Sequence, residues 1–356
     1  MSQDDGQIHA RSRERIGRTC QLAPDARALR LAVLPELRRV VGFDAYAWLL
    51  TDPATAVGVS PLADVPWLPE LPAQIRLKYL TPLNRWTTLT GSPVGLLDEA
   101  TGGDLGQSLV WREMLADYGV VDAASLVLAD QFGCWAFLEL WRTRPATPFS
   151  RADAVFLAEV AGSLTQALRR CQQGAFVLPP VRHRPRVGPV MLLLTSDLRV
   201  RGQTPPSVDY LRLLVPPDGG RAPVPAAAYN VAAQLLASEA GVDGNPAWAR
   251  VAVPEAELMT VRAARIDGSG TPADRDIAVT IEASSAEERV DLFTRAFGLT
   301  ARERQLVEHL VAGNDTRDVA RLMFLSQNTI QDHLKSIFSK TKSRSRRTLL
   351  ARALGT

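Results

Sequence analysis

Apolar residues recur along this chain at two periods, about 3.6 residues and about 2, and the switches between them mark its elements. From Pro24 and Asp25, which favour a helix start, Leu29, Val33, Leu37, Val40 and Val41 return at helical spacing until Gly42. The period then drops, and AYAWLLTD and VGVSPL read as strands with Asp52 and Pro53 in the turn between them. Ser108 to Tyr118 reads as helix up to Gly119, and VVDAASLVLAD and GCWAFLELWR form a hairpin through an Asp130–Gly133 turn. Ser150, with Asp153 three residues on, caps a long helix in which Phe156, Val160, Leu164 and Leu168 repeat every fourth residue. Residues 1–23 are polar and Arg-rich and read as a flexible lead-in, and the Gly/Thr-rich stretch from Leu80 to Gly106 as a surface loop, or else a flap over a pocket.

Pro179, Pro180, Pro185 and Pro189 among basic residues predict a stiff, extended linker and a domain boundary. Strands VMLLLTSD and LRVRGQT follow, then helices around Val208 to Leu214 and from Pro225 to Ala240, then strands ARVAV, LMTVRAARI and DIAVTIEAS. Glu287 to Phe297 makes an amphipathic helix with Val290, Phe293 and Phe297 on one side. Beyond it, Thr300 with Glu303, Asp315 with Asp318, Ser326 and Ser345 cap four short helices. The first of these carries Leu306, Leu310 and Val311 inward, and the second runs through Val319, Ala320, Leu322 and Met323. On the third, Ile330, Leu334, Ile337 and Phe338 share a buried face, while Asn328, Gln331, Asp332, Lys335 and Ser339 lie opposite, able to hydrogen-bond base edges in a major groove.

Charge sharpens this picture more than composition does. The chain of 356 residues is long enough for two or three domains, and its 46% hydrophobic and 22% charged residues fit a globular protein. From Leu299 to Thr356 eleven Lys/Arg stand against five Asp/Glu, so that this segment is +6 within a chain of net +3. Basicity is concentrated where the capped helices lie. Cys20, Cys134 and Cys171 are odd in number and widely spaced, which offers neither a zinc site nor a disulfide framework. The polar opening and the lack of a spanning apolar run point to a cytoplasmic protein with no membrane partner.

The C-terminal motifs resemble the LuxR-type, or GerE-type, helix-turn-helix of bacterial transcriptional regulators: Leu299-Thr300-x-Arg302-Glu303, Ala312-Gly313, Val319-Ala320 with Leu322, Ser326-x-x-Thr329-Ile330-x-x-His333, then Ile337, Lys340, Ser345 and Arg346. The resemblance implies a four-helix, all-α DNA-binding domain over 299–356. It places Gln331, where the family often has Lys, at a base-contacting position and Lys335 at a DNA-contacting one, with Asn328 and Asp332 on the same helix face and Thr329 within reach of a phosphate. Lys340, Lys342, Arg344 and Arg346 then suit backbone phosphates. Asp332 has a second reading as a solvated surface charge, and Leu349, Leu350 and Ala353 are either a dimer contact, as in the family, or intradomain core.

Upstream, the order of elements over 24–174 resembles a GAF sensor domain and that over 189–284 a degenerate PAS-like domain, joined by the linker 175–188 and leading to the connecting helix 285–298. The whole is a multidomain α+β chain ending in an all-α domain. By analogy the helix opened by Ser150 pairs with its twin in a dimer, and the implied partners are double-stranded DNA, a second copy of the chain, RNA polymerase and a small-molecule ligand in the GAF-like domain. Six of the seven tryptophans, Trp48, Trp67, Trp86, Trp111, Trp135 and Trp141, lie in that domain, where they fill core or line a pocket.

Catalysis finds little support. None of His9, His183, His309 and His333 falls between Pro24 and Cys171, and the chain has neither a GxSxG elbow nor a P-loop. We expect no catalytic residue, metal or cofactor, and a DNA-binding regulator. The alternatives are an interaction protein that docks another protein through its helix-turn-helix and, behind it, a GAF-domain enzyme.

Overall fold

The computed structural model describes residues 3–89, 91–176, 190–207, 226–252, 258–268 and 275–355. Of the linker expected over 175–188, residues 177–188 lie outside the described residues, as does the helix expected around Val208 to Leu214. Two antiparallel five-stranded sheets precede a helical C-terminal segment. The first comprises β1 (Ala45–Thr51), β2 (Gly58–Asp64), β3 (Val94–Leu96), β4 (Val120–Asp130) and β5 (Gly133–Thr143), in the order β2-β1-β5-β4-β3. The second comprises β6 (Val190–Leu194), β7 (Val200–Gln203), β8 (Trp248–Ala252), β9 (Leu258–Arg265) and β10 (Ile277–Ala283), in the order β7-β6-β10-β9-β8. Both sheets thus run second, first, fifth, fourth, third.

Around the first sheet stand α1 (Gln3–Leu22), α2 (Ala26–Val41), α3 (Leu71–Leu80), the short α4 (Leu97–Ala100) and α5 (Arg151–Gln172). Strand periodicity sends Trp48, Leu126, Leu138 and Leu140 into one core with Leu29, Leu37, Phe156 and Leu164 of α2 and α5. Leu49, Val127 and Phe137 enter another with Ile75 and Tyr79 of α3. Both capping groups of α5 form, Ser150 with Asp153, and Asp25 caps α2.

Two expectations change here. The lead-in is helix α1, because Ser12, Ile16 and Cys20, four residues apart, make a buried stripe and Arg13 meets Glu159 of α5 at 2.7 Å. The stretch from Leu80 to Gly106 is not only loop, since β3 pairs with β4 as Val94 to Leu126, Gly95 to Ser125 and Leu96 to Ala124. On α5 the apolar side is covered within the chain, and the exposed Val155, Glu159, Gly162, Ser163, Gln166 and Arg170 form a mostly polar stripe. Trp48, Trp67, Trp86, Trp135 and Trp141 are buried, and half-buried Trp111 donates its Nε1–H to the Val120 carbonyl.

Helix α6 (Ala226–Glu239) is apolar on almost every side because it is packed on every side: the second sheet lies against it, and so do β2 and α3 of the first unit. Polar contacts fix the same seam. Arg85, fully buried, gives Nε to Asp243 at 2.7 Å and Nη2 to Gln234 at 3.0 Å. Arg250 grips Asp52 with Nε at 2.7 Å and Nη2 at 3.0 Å, and its Nη1 reaches Asp291 at 2.9 Å. Asp291 sits on α7 (Ala286–Ala296), where it also binds Arg295 and Arg304.

The C-terminal segment is α8 (Ala301–Val311), α9 (Thr316–Leu322), α10 (Gln327–Thr341) and α11 (Arg346–Leu354), capped by Thr300, Asp315, Ser326 and Ser345 as the sequence predicts. On α9 the buried position is Met323, 3% exposed, whereas Leu322 is 44% exposed. The inward spacing therefore runs Val319, Ala320, Met323. Leu349 and Ala353 are buried in the core that α11 shares with Val290, Phe293 and Phe297. Arg352 ties this end to the first unit, donating Nε to the Phe176 carbonyl at 3.2 Å.

Candidate nucleic-acid interface

Helix α10 begins where Ser326 Oγ accepts the Thr329 N–H at 3.1 Å and stops where Lys342 turns left-handed at φ 52°. Ile330, Leu334 and Ile337 are buried and Phe338 is half-buried, which orients the opposite side outward. Asn328, Gln331, Asp332, Lys335 and Ser339 are all exposed. The structure brings the first four proposed readers onto one open face, as the helical spacing implies. Thr329 is half-buried, with its hydroxyl 2.9 Å from Ser326 Oγ.

Lys335 lies 3.0 Å from Asp332, with side chains 78% and 73% exposed. Such an exposed pair contributes about 0.5 kcal/mol or less, so an approaching phosphate can draw the ammonium away. Lys340 is held differently. Its Nζ meets Glu303 Oε2 at 2.6 Å, and Ser336 Oγ donates to Oε1 of the same carboxylate at 2.6 Å. Burial pushes the Glu303 carboxyl up, but the bonds from Lys340, Ser336 and the Thr300 N–H outweigh it and lower its pKa to about 2. Lys340 therefore braces α8 against α10.

Arg346 is likewise engaged, donating Nη2 to the Asn314 carbonyl at 2.6 Å. Lys342 and Arg344 are exposed beyond the end of α10, and His333 is half-buried. Exposed side chains that the motif does not mark include Arg317 on the first turn of α9, Arg321 farther along it at 3.0 Å from Asp318, Arg347 beside the engaged Arg346, and Phe324, 95% exposed at φ 56° in the turn before α10. The Arg346–Arg347 pair could have suggested the second arginine, since neighbours on a helix point about 100° apart. Nothing in the apolar pattern marks Phe324 as outward-facing.

Residues 298–353 match the family model of bacterial regulatory proteins, luxR family (GerE). No curated protein matches the chain. Among solved structures, the chain is similar to the chromophore-binding domain of a bacteriophytochrome from R. palustris, at 17% identity and a TM-score of 0.33 over 49% of this chain and 64% of that one. It is also similar to the bacteriophytochrome structure from the photosynthetic bacterium R. palustris, at 17% identity and a TM-score of 0.31 over 76% of this chain and 61% of that one. The chain thus spans less than two thirds of either. Among the described residues, no helix is long and apolar enough to cross a membrane.

Proposed function

We propose that this chain, whose residues 298–353 form a luxR-type DNA-binding domain, is a sequence-specific transcriptional regulator that binds an inverted repeat as a dimer. The observation that carries this reading is the open polar face of α10. Gln331 is suited to pair with adenine through two hydrogen bonds, Asp332 to accept from cytosine N4, and Lys335, Lys342 and Arg344 to meet phosphates. Lys340 and Arg346 act mainly by holding the domain together.

The units before it, over 24–174 and 189–284, serve as GAF-like and PAS-like sensors, and 285–298 as the connection. Leu349 and Ala353 are covered by α7 in the single chain. If the two copies pair through α11, that contact must open first. A small molecule shifts the balance only by binding one arrangement better than the other. RNA polymerase is the partner through which a bound regulator then acts.

Selection of binding sites from a random duplex pool tests the reading. The wild-type chain is expected to enrich one inverted repeat, and Gln331→Ala to lose about 1–3 kcal/mol of preference at a single base-pair position in each half. Enrichment of no sequence at all would instead favour a domain that docks on protein.

A further inference from the structure

The first sheet carries a hollow, and its cause lies in the strand register. Ala63 stands opposite Ala47, Ala47 opposite Glu139, Glu139 opposite Ser125, and Ser125 opposite Gly95, one row across all five strands. Four of these five residues are Ala, Ser or Gly, so only Glu139 rises from the row. The flanking rows stand higher: Leu49, Phe137 and Val127 on one side, Trp141 between Ala45 and Ala123 on the other. Gln74, Ile75 and Lys78 of α3 and Asn230 of α6 complete the enclosure of a cavity of about 80 Å³. That is room for about five to eight water-sized groups.

Its walls are largely apolar, and its polar groups are few and placed. Lys78 Nζ lies 2.6 Å from Glu139 Oε1, which also accepts from Ser125 Oγ at 2.5 Å, so the two charges cancel inside the hollow. Around them, among the described residues, Trp141 Nε1 and Asn84 Nδ2 are buried donors without a partner, and Asn230 Oδ1 is a buried acceptor without one. Asn230 is 1% exposed and Trp141 3%. A buried polar group left unpaired costs about 1–3 kcal/mol, and here three surround one space. Gly95 belongs to the construction, because a Cβ there would come within 2.5 Å of Asn84 Oδ1.

We propose that this cavity binds a neutral, ring-sized molecule with an apolar body and one end that both donates and accepts hydrogen bonds, such as an amide or a hydroxy-carbonyl group. A charged ligand would upset the Lys78–Glu139 balance and bury a net charge. Asn230 and Ala226 come from α6, whose other sides pack on the second sheet, so the site is shared by the two sheet units. The biological use of the site rests on the sensor reading above, whereas the binding does not.

Saturation-transfer NMR on the full chain, with benzamide, benzoate, benzylamine and toluene as probes, tests it. Benzamide is expected to bind at least ~10-fold tighter than the two charged probes. Ala47→Phe, which puts a ring into the row, is expected to abolish benzamide binding without lowering the unfolding temperature. Asn230→Ala provides a milder second variant, expected to weaken benzamide several-fold and leave toluene unchanged. Wild-type protein that binds no probe at millimolar concentration, charged probes that bind as well as benzamide, or equal binding to Ala47→Phe would each overturn the proposal. None of these readings depends on DNA binding, so loss of the regulator reading would leave them intact.

Discussion

Two sheets of one strand order lie on either side of α6, and the side chains in their rows give them different capacities. In the second sheet Val190, Ile281, Val261 and Ala249 form one row, and Leu192, Val279 and Ala263 form another. Branched side chains stand on adjacent strands and the Ala-rich α6 packs down on them, so the space is filled. In the first sheet the row Ala63, Ala47, Glu139, Ser125, Gly95 leaves it open. Strand order therefore does not decide which sheet can hold a ligand; side-chain volume along a single row does.

The largest expected effect lies at the seam between the units. Asp52→Ala would strip Arg250 of its bidentate partner, where both side chains are 0% exposed, and should destabilise the chain by about 4 kcal/mol in urea unfolding. A loss under ~1 kcal/mol would mean that Asp291 and the Glu288 carbonyl, which accepts from Arg250 Nη1 at 2.6 Å, suffice for Arg250 and that the seam is weaker than its geometry implies. Next comes the filled sheet, where Ile277→Ala should cost about 3 kcal/mol by leaving a cavity in close packing.

Enlarging a small residue then separates the sheets directly. Ala249→Leu, at a 0% exposed position of the filled sheet, should cost about 1–3 kcal/mol through overpacking. Ala47→Leu in the hollow row should stay within about 1 kcal/mol of wild type, because the space exists. Equal costs at the two positions would erase the difference between the sheets.

Acid provides a control that touches neither sheet. Glu303 has a pKa of about 2 in the folded chain against an ordinary 4.5, so its contribution is fully present above about 4.5 and is lost as pH falls towards 2. Unfolding of the C-terminal domain followed by circular dichroism should show this acid loss, and Glu303→Gln should show less of it.

The legible parts of the molecule were those whose signals are local. The Ser150–Asp153 and Thr300–Glu303 capping boxes, the fourfold repeat of α5 and the β4–β5 hairpin are each written within a few consecutive residues, and each formed as read. Helix α1 was hidden because its buried stripe is only Ser12, Ile16 and Cys20 in an Arg-rich stretch. The hollow was beyond reach, since Ala63, Ala47, Glu139, Ser125 and Gly95 become neighbours only once four registers are set. At the candidate interface the exposed face of α10 followed from periodicity. The diversion of Lys340 to Glu303 and of Arg346 to the Asn314 carbonyl depends on tertiary contacts 37 and 32 residues away.

Docking of the C-terminal domain on DNA through the basic flank of α10 would show itself in the salt dependence of the full chain's affinity for duplex DNA. Log K is expected to fall linearly with log salt concentration, with a slope of about −0.9 for each phosphate neutralised. Lys342→Ala and Arg344→Ala, each removing one cation from the phosphate backbone, should each make the slope shallower by about one unit. Binding that does not weaken with salt, or no binding to duplex DNA at low salt, would contradict it.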